Sequence, residues 1–352
     1  MQKAAKGAFV RGLKRAAALL AALILLFPAL CCAPAIDDSE PARREVFAMD
    51  TYMNIACYGK NAEKAADAAI SEIKRIDALL SISSESGSIH ALNESGEAEL
   101  DDETARIVAK ALEIYNSTGG AFDITVLPLM ELWGFTSGEY RVPESSEIDA
   151  VLARVGSDKL VLSGGKLSLG GALGVDLGGI AKGYTSDRLI ELMRAAGVTS
   201  ACVSLGGNVQ CLGTKPDASA WRCGIIHPFK KDSDEYLGIV SVVDKAVITS
   251  GAYERNFTDA ADGKLYHHII DPKTGCPAET GLASVTIVSE SGILADALST
   301  ALYIMGLDGA IGYWKSSDKS FDMILMDDAG EVYITPALRD TFTSSCTTHV
   351  IG

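Results

Sequence analysis

Residues 172–205, ALGVDLGGIAKGYTSDRLIELMRAAGVTSACVSL, carry the pattern on which the fold prediction rests. The apolar run at 172–177 predicts a strand, and the glycine-rich segment 178–183 predicts a loop. Residues 184–196 predict a helix, and 201–205 predict a second strand. The central order is therefore strand, glycine loop, helix, strand.

The flanking sequence places further helices among many short strands. Helices are expected at 62–80, 101–116, 148–155, 294–305 and 308–315, with a break at Gly306. Strands are expected at 45–58, 159–162, 166–169, 221–227, 236–243, 246–249, 266–270, 283–288, 322–326 and 332–334, and an apolar loop at 121–135. Because these elements do not alternate as βαβ units, the predicted fold class is α+β rather than doubly wound α/β. Nothing between 45 and 340 is typical of an interdomain linker.

Composition and charge exclude some classes of protein function. The chain has 352 residues, of which 48% are hydrophobic and 22% charged, so it is not a disordered protein. Its net charge is −15, and because residues 1–30 hold five cations and no acid, the remainder carries about −20. Such an acidic body argues against binding to nucleic acid. If it handles phosphates, it needs a metal ion as an intermediary.

The N-terminus predicts export. Residues 16–30, AAALLAALILLFPAL, follow a basic cluster and are shorter than the roughly 20 apolar residues of a spanning helix, as in a secretory signal. Cys31 and Cys32 follow, which resembles a bacterial lipoprotein signal in which one cysteine is lipidated. A soluble secreted protein and an uncleaved anchor are the alternatives. We expect a signal peptide at 1–30, a tether at 31–45, a catalytic body at 46–340 and a tail at 341–352, with lipid anchoring on the outer side of the bacterial cytoplasmic membrane.

The eight cysteines show no CxxC pair and no metal-ligand spacing. In an oxidising compartment some of them could pair, but buried free thiols fit a chain of this size as well. The sequence assigns no disulfide.

Residues 175–184, VDLGGIAKGY, form the first candidate site. Glycines let backbone approach a ligand, and the start of the following helix together with Lys182 favours phosphate. The pattern is neither GxGxxG nor a Walker loop, so an ordinary turn with a helix cap is the alternative.

Asp296 and Thr300 form the second candidate site. They lie one helical turn apart and therefore on one face of the predicted helix. A carboxylate and a hydroxyl in this relation can bind a hard cation such as Mg²⁺, which shares its oxygen ligands with phosphates. The alternative is an Asp that interacts with the helix dipole, with Ser299 and Thr300 as ordinary helical residues.

Residues 266–275, YHHIIDPKTG, form the third candidate site and end in a turn sequence. His267 and His268 are adjacent on a predicted strand, so they face opposite sides and cannot easily chelate one metal. One of them could be a general acid or base, and a structural role is the alternative.

Six segments, taken in order, resemble the ApbE family of FAD:protein FMN transferases, once called thiamine biosynthesis lipoproteins. They are FDIT, PL and LWGF within 122–135, DLGGIAKGY at 176–184, LGGN at 205–208, TSG and YER within 249–255, HIIDPKTG at 268–275 and DALST at 296–300. The resemblance covers roughly residues 46–336, and the lipoprotein-like start agrees with it. It implies one catalytic body of mixed or antiparallel sheets with packed helices, in the T-fold-like ApbE architecture.

The resemblance implies an activity and its partners. Family members bind FAD and Mg²⁺, transfer FMN to a Ser or Thr hydroxyl of an acceptor protein through a phosphoester bond, and release AMP. Acceptors are flavinylated subunits of membrane redox complexes or exported flavoproteins. An exported FAD pyrophosphatase, with water as the acceptor, and a flavin-binding lipoprotein without catalysis are the alternatives.

The resemblance also implies roles for particular residues. The residues that would line the FAD site are Met49, Ala121, Phe122, Asp123, Asp176, Lys182 and Ile270. Gly179 would offer a backbone carbonyl to Mg²⁺, and Asp296 and Thr300 would offer side-chain oxygens. His268 resembles the family's acid/base histidine, and Asp296 is expected to be essential for catalysis. Phe122, Trp133 and Phe135 offer apolar surface for the isoalloxazine ring, although Trp133 could equally belong to the core.

Three positions depart from the family pattern. Ser299 stands where the family often has a second acid beside the metal, which implies lower metal affinity or a single ion. Ser83 stands where an aromatic residue commonly flanks the nucleotide, so some adenine stacking is missing or supplied elsewhere. Asp50 stands where the family usually has glycine, which adds a carboxylate near the site.

Overall fold

Seventeen strands and seven α-helices make up the part of the chain described by the computed structural model, residues 40–172, 174–230 and 235–352. The strands are β1 Ala42–Ala48, β2 Thr51–Tyr58, β3 Glu97–Glu99, β4 Val161–Ser163, β5 Lys166–Ser168, β6 Ser200–Leu205, β7 Asn208–Leu212, β8 Trp221–Ile226, β9 Tyr236–Val242, β10 Ala246–Gly251, β11 Asn256–Thr258, β12 Leu265–His267, β13 Leu282–Ser289, β14 Phe321–Asp327, β15 Val332–Ile334, β16 Phe342–Ser344 and β17 Thr348–Val350. The helices are α1 Ala62–Leu80, α2 Ser88–Ser95, α3 Asp102–Ser117, α4 Leu127–Leu132, α5 Ser145–Leu152, α6 Gly178–Ala195 and α7 Gly292–Ser316. The predicted signal peptide and the cysteines Cys31 and Cys32 lie outside the described residues.

A nine-stranded sheet organises the fold in the order β1-β2-β6-β7-β10-β13-β14-β15-β17. Its strands pair antiparallel except β15 and β17, which are parallel. Three small sheets accompany it, in the orders β16-β9-β8, β3-β5-β4 and β11-β12. The predicted α+β class is confirmed.

The large sheet is covered on both faces. The β16-β9-β8 sheet packs on one face through apolar residues such as Val240, which cluster with Val247 and Ile324 of the large sheet. Side chains of α1, α6 and α7 pack with the other strands in two further apolar clusters. Helix α7 is long and apolar enough to cross a membrane by composition alone, but its apolar residues, among them Leu298 and Leu302, are buried in the core.

Glycines bring α6 and α7 into close contact. A Cβ atom on Gly183 would lie 2.2 Å from the carbonyl oxygen of Gly292 and 2.6 Å from Cβ of Asp296. A Cβ atom on Gly292 would lie 2.5 Å from Oγ of Ser186. Only glycine fits at either position, and the crossing places Asp296 beside the first turns of α6.

Several local predictions need correction. Residues 45–58 are not one strand but the β1–β2 hairpin, whose turn, Met49 and Asp50, has positive φ at both residues. Residues 174–177 are irregular rather than a strand, and 178–183 are not a loop but the first turns of α6.

The folded body extends further at both ends than the predicted range of 46–340. The sheet already includes residues 42–45 in β1, so the expected tether at 31–45 is too long. The expected tail at 341–352 contains β16, which pairs with β9, and β17, which pairs with β15. Both strands rest on long-range pairing that local patterns do not show.

Candidate active site

A cavity of about 410 Å³ opens where the β1–β2 turn, the segment after α3, the start of α6, the end of β10, the 268–272 segment and α7 meet. The residues that the resemblance assigns to FAD, to Mg²⁺ and to catalysis all line it, namely Met49, Ala121, Phe122, Asp123, Asp176, Gly179, Lys182, His268, Ile270, Asp296 and Thr300. The structure therefore brings together residues that are up to 251 positions apart in the sequence.

Asp296 is held at the base of the cavity by two hydrogen bonds. The backbone N–H of Gly183 donates to Oδ2 over 2.7 Å, and Nδ2 of Asn208 donates to Oδ1 over 2.9 Å. The residue is 5% exposed, and burial raises the pKa of its carboxyl, while the charge of Lys182 and these hydrogen bonds oppose that rise. Each oxygen keeps a lone pair that a cation could use.

Thr300 follows one turn later on the same face of α7, as its spacing predicts. Its Oγ1 lies 3.3 Å from Oγ of Ser250 on β10. Oγ of Ser250 also lies 2.7 Å from Oγ of Ser299, and the Ser299 hydroxyl donates to the carbonyl of Asp296 over 2.7 Å. Ser299 is fully buried and does not line the cavity, so it serves to tie α7 to β10.

The oxygen atoms at this end of the cavity suit a hard cation. Among the described residues no cluster of three or more His, Cys, Asp or Glu side chains could hold a metal. A metal bound here would therefore rely on the Asp296 carboxylate, the Thr300 hydroxyl, a backbone carbonyl such as that of Gly179, water and substrate oxygens. Mg²⁺ accepts such a set because it keeps several waters and usually takes only one or two carboxylates.

The start of α6 forms a second wall. Oδ1 of Asp176 accepts a hydrogen bond from the backbone N–H of Gly178 over 2.8 Å. Burial raises the pKa of Asp176, whereas this hydrogen bond and the charges of Arg255 and Lys182 lower it. An aspartate thus already occupies the first N–H of the helix, so this N–H is not available to a phosphate.

Lys182 is the cation of α6 that lines the cavity. Within the described ranges, its ammonium group takes part in no hydrogen bond or ion pair. Its charge nevertheless acts on the pKa values of Asp176, His268 and Asp296. Because no side chain in the described part of the chain pairs with this ammonium group and it lies near three residues of the site, it is suited to bind an anionic ligand.

His268 faces the cavity, and His267 faces away from it, as the alternation of the strand predicts. Nδ1 of His268 lies 3.1 Å from the carbonyl oxygen of Arg255, so Nδ1 carries the proton and Nε2 keeps its lone pair. Burial, followed by the charge of Arg255, lowers the pKa of His268 to about 3. The neutral ring is a proton acceptor at Nε2. His267 is buried and hydrogen-bonds through Nε2 to the carbonyl of Ala278, a structural role.

The remaining wall is apolar and firmly held. Phe122 is 4% exposed and lines the cavity beside Ala121 and Ile270. Asp123 accepts hydrogen bonds from the N–H and Oγ1 of Thr125 and from the N–H and Oγ of Ser157. Its carboxylate therefore holds this wall in shape.

Trp133 and Phe135 do not line the cavity, which corrects the expectation that Phe135 offers surface to a flavin ring and gives Trp133 its alternative place in the core. They are 2% and 1% exposed and pack in an apolar cluster behind the site, where Nε1 of Trp133 donates to the carbonyl of Gly275. Phe135 meets His268 edge-on, with ring centroids 6.4 Å apart. Both rings support the wall that carries the histidine.

Of the other two positions that depart from the family pattern, Asp50 lies at the cavity and Ser83 lies outside it. Asp50 lines the cavity, at φ 58°, a conformation in which glycine is unstrained. Its carboxylate adds to the repulsion at Asp176. Ser83 is exposed and lies outside the cavity lining.

The cavity is rich in negative charge. Its lining has five carboxylates against two cations. The acids are Asp50, Asp123, Asp176, Glu254 and Asp296, and the cations are Lys182 and Arg255. These carboxylates would repel a dianionic ligand, and an additional positive charge would offset that repulsion.

Three residues with roles in the site are not predicted by the sequence patterns. Asn208 holds Asp296, Ser250 links Thr300 to Ser299, and the carbonyl of Arg255 fixes the tautomer of His268. All three lie inside the segments that carry the family resemblance. Their contacts depend on the order of strands in the sheet, which no local pattern gives.

Comparison with known proteins agrees with this geometry. A family model described as the ApbE family matches residues 49–325. An FAD:protein FMN transferase of Salmonella typhimurium is 31% identical over 343 residues, which cover 92% of this chain and 96% of the relative. An FAD:protein FMN transferase of Treponema pallidum is 33% identical over 293 residues, 76% of this chain and 80% of the relative. The crystal structure of the ApbE protein of Thermotoga maritima has a TM-score of 0.79 and 31% identity, and the match covers 86% of this chain and 99% of that one.

Proposed function

The chain belongs to the ApbE family and is an FAD:protein FMN transferase, and we propose that it moves FMN to a Ser or Thr hydroxyl of an acceptor protein with the help of Mg²⁺. The family match covers most of the described body, and the relatives carry that activity in their names. The observation that carries the Mg²⁺ proposal is the convergence of Asp296 and Thr300 with Lys182 and His268 on one cavity with an excess of acids.

Asp296, Thr300 and the carbonyl of Gly179 are the residues that would hold Mg²⁺. When bound, the ion supplies positive charge to the pyrophosphate of FAD and stabilises the charge that develops on the departing AMP. Asn208 and the N–H of Gly183 keep the Asp296 carboxylate in one orientation for that purpose.

Lys182 binds and orients the phosphates. Since phosphoryl transfer depends chiefly on positioning and electrostatics, a cation at the start of α6 places the FMN-side phosphorus in line for attack. The acceptor oxygen forms the new phosphorus–oxygen bond as the bond to AMP breaks.

His268 takes the proton of the acceptor hydroxyl at Nε2. The hydrogen bond from Nδ1 to the Arg255 carbonyl leaves that lone pair available, whereas burial lowers the pKa of His268 and makes the ring a weaker base in the free site. General base catalysis of this kind contributes typically about 10²–10⁴-fold. Phe122 and Ile270 exclude water from this side of the cavity, which favours a protein hydroxyl over hydrolysis.

The cellular setting is part of the proposal. The N-terminal sequence supports export and a lipid anchor on Cys31 or Cys32, outside the bacterial cytoplasmic membrane. The acceptor would then be a subunit of a membrane redox complex or an exported flavoprotein. Mass spectrometry of the mature protein would identify a diacylglycerol-modified N-terminal cysteine if the anchor exists.

One incubation separates the candidate activities. The protein is mixed with FAD, Mg²⁺ and a candidate acceptor domain, and the products are followed by gel fluorescence and chromatography. A fluorescent acceptor band that survives denaturation, with one AMP released per flavin attached, supports transfer. Free FMN with AMP indicates the pyrophosphatase, and intact FAD indicates a binding protein.

The metal assignment is tested with Asp296→Ala. We expect loss of Mg²⁺-dependent turnover because the variant lacks the only carboxylate of the proposed ligand set. Asp308→Ala is the matched control, since Asp308 is exposed on the same helix and outside the cavity lining. Full Mg²⁺-dependent activity in Asp296→Ala would refute the assignment, whatever the control shows.

A further inference from the structure

Three cysteines meet between the large sheet and the β16-β9-β8 sheet. Sγ of Cys211 on β7 lies 3.8 Å from Sγ of Cys202 on β6 and 4.0 Å from Sγ of Cys223 on β8. All three are free thiols in this structure. Neither the mechanism nor the family resemblance gives them a role.

The strand register singles out one of these pairs for a covalent bond. Cys202 and Cys211 are directly opposite each other in the β6–β7 hairpin. The N–H of Cys211 donates to the carbonyl of Lys245, away from β6, so Cys202 and Cys211 form a non-hydrogen-bonded pair. At such pairs the Cα atoms approach to about 4.5 Å, within the range that a disulfide spans.

Accessibility points to the same pair. Cys202 is partly exposed, whereas Cys211 and Cys223 are 1% and 7% exposed. An external oxidant can therefore reach Cys202 first, and Cys211 is the neighbour that can resolve the adduct. Cys223 lies in the other sheet and reaches only Cys211, so it can compete for Cys211 but cannot begin the reaction.

We propose that Cys202 and Cys211 are an oxidation site that forms a cross-strand disulfide. The Cys202 thiolate attacks a small-molecule or protein disulfide and forms a mixed disulfide, releasing one thiol of the oxidant. Cys211 then attacks Sγ of Cys202 and releases the second thiol. Two protein thiols become one disulfide, and the oxidant's disulfide becomes two thiols, so atoms and electrons balance.

The bond would act on the site through the hairpin. The turn that joins β6 to β7 consists of Gly206 and Gly207, and Asn208 follows it directly. Asn208 holds the carboxylate of Asp296. A disulfide three residues further along β7 fixes the two strands that carry this contact, so oxidation stabilises the hairpin beside the proposed metal ligand.

Trypsin makes the pair easy to test in the full chain. It cuts after Arg194 and Arg222 but not after Lys215, because Pro216 follows. Cys202 and Cys211 therefore share the peptide 195–222, while Cys223 lies in 223–230. The reduced protein is treated with oxidised glutathione, its remaining thiols are alkylated, and the digest is analysed by mass spectrometry.

We expect the peptide 195–222 to be lighter by two hydrogen atoms and to resist alkylation after oxidation. Cys202→Ser should remove this signal, and Cys346→Ser, which changes a partly exposed cysteine elsewhere, should keep it. The melting temperature of the oxidised protein should exceed that of the reduced protein, with no such rise in Cys202→Ser. Alkylation of both thiols after oxidation, or a link between 195–222 and 223–230, would overturn the assignment.

Discussion

Replacing Gly183 with alanine tests whether the crossing of α6 and α7 sets the position of Asp296. The new Cβ atom would lie 2.2 Å from the carbonyl oxygen of Gly292 and 2.6 Å from Cβ of Asp296. Atoms in ordinary contact are about 3.5 Å apart, so the helices must separate by about 1 Å. The same movement weakens the 2.7 Å hydrogen bond from the Gly183 N–H to Asp296.

The magnitude follows from two opposing effects. Overpacking a core typically costs about 1–3 kcal/mol, whereas alanine in place of glycine within a helix gains about 1 kcal/mol. We expect a net loss of about 0–2 kcal/mol in the free energy of unfolding and a melting temperature lower by at most a few degrees. Displacing a catalytic group by about 1 Å can cost about 10²-fold in rate, so transfer of FMN should fall by that order.

Thermal melts and the acceptor assay measure both effects. Gly312→Ala is the matched control, since Gly312 lies in α7, is exposed, and has no atom within 4 Å of its added Cβ. It should raise the melting temperature slightly and leave transfer unchanged. If Gly183→Ala is as stable and as active as this control, the helix crossing does not position the carboxylate.

Three further variants probe charge and protonation. Lys182→Ala should raise the Kd for FAD by about 10–100-fold in a fluorescence titration with an unchanged melting temperature, and equal affinity would exclude phosphate binding by this residue. Because the folded pKa of His268 is about 3, the unfolded chain protonates first as the pH falls, and this residue's contribution to stability is present above pH 6.5 and lost towards pH 3. Between pH 7 and pH 5, the free energy of unfolding of the wild type should therefore fall by about 1–2 kcal/mol more than that of His268→Gln, as measured by thermal melts. An equal fall in both proteins would contradict the lowered pKa of His268. Asp50→Gly should tighten FAD binding about threefold by removing one carboxylate from the cavity, with stability within about 1 kcal/mol of wild type, and weaker binding would assign Asp50 a positive role.

Local sequence signals predicted elements whose stability is itself local. Helix α1 has the predicted bounds because its apolar residues repeat at helical spacing and face the core. Acidic residues predict the start of α3, and the carboxylate of Asp101 accepts hydrogen bonds from the N–H groups of Glu103 and Thr104. The break at Gly306 was also visible, and its φ of 72° interrupts α7 there.

Elements that depend on tertiary packing were not predictable in this way. Glycines at 178, 179 and 183 indicate a loop by propensity, yet packing against α7 makes the segment helical and requires Gly183. The turn at Met49 and Asp50 lacks glycine, although both residues have positive φ, so the alternating pattern of 45–58 looked like a single strand. Glycine normally marks a turn. Here it is absent from the turn at Met49 and Asp50 and present within helix α6.

The candidate site also contains some residues that local patterns predict and others that only the tertiary fold brings together. Residues within one element, such as Asp296 and Thr300, could be paired from their spacing alone. The partners of this pair, Asn208 and Ser250, come from β7 and β10, which are neighbours only because the sheet places β7 between β6 and β10. Those contacts depend on the order of strands in the sheet, which local sequence patterns do not predict.

The acidity of the cavity connects the metal to the substrate. The carboxylates of Asp176 and Asp296 would repel the pyrophosphate of FAD, and Lys182 and Arg255 do not balance the five carboxylates of the lining. If Mg²⁺ enters on Asp296, it both removes that repulsion and gains oxygen ligands from the phosphates. The two ligands must then favour each other, and thermodynamic linkage requires that each raise the other's affinity by the same factor. Under the proposed function, such an acidic site would admit the dinucleotide chiefly together with the ion, and the carboxylates that weaken binding of FAD alone would make its binding depend on the metal.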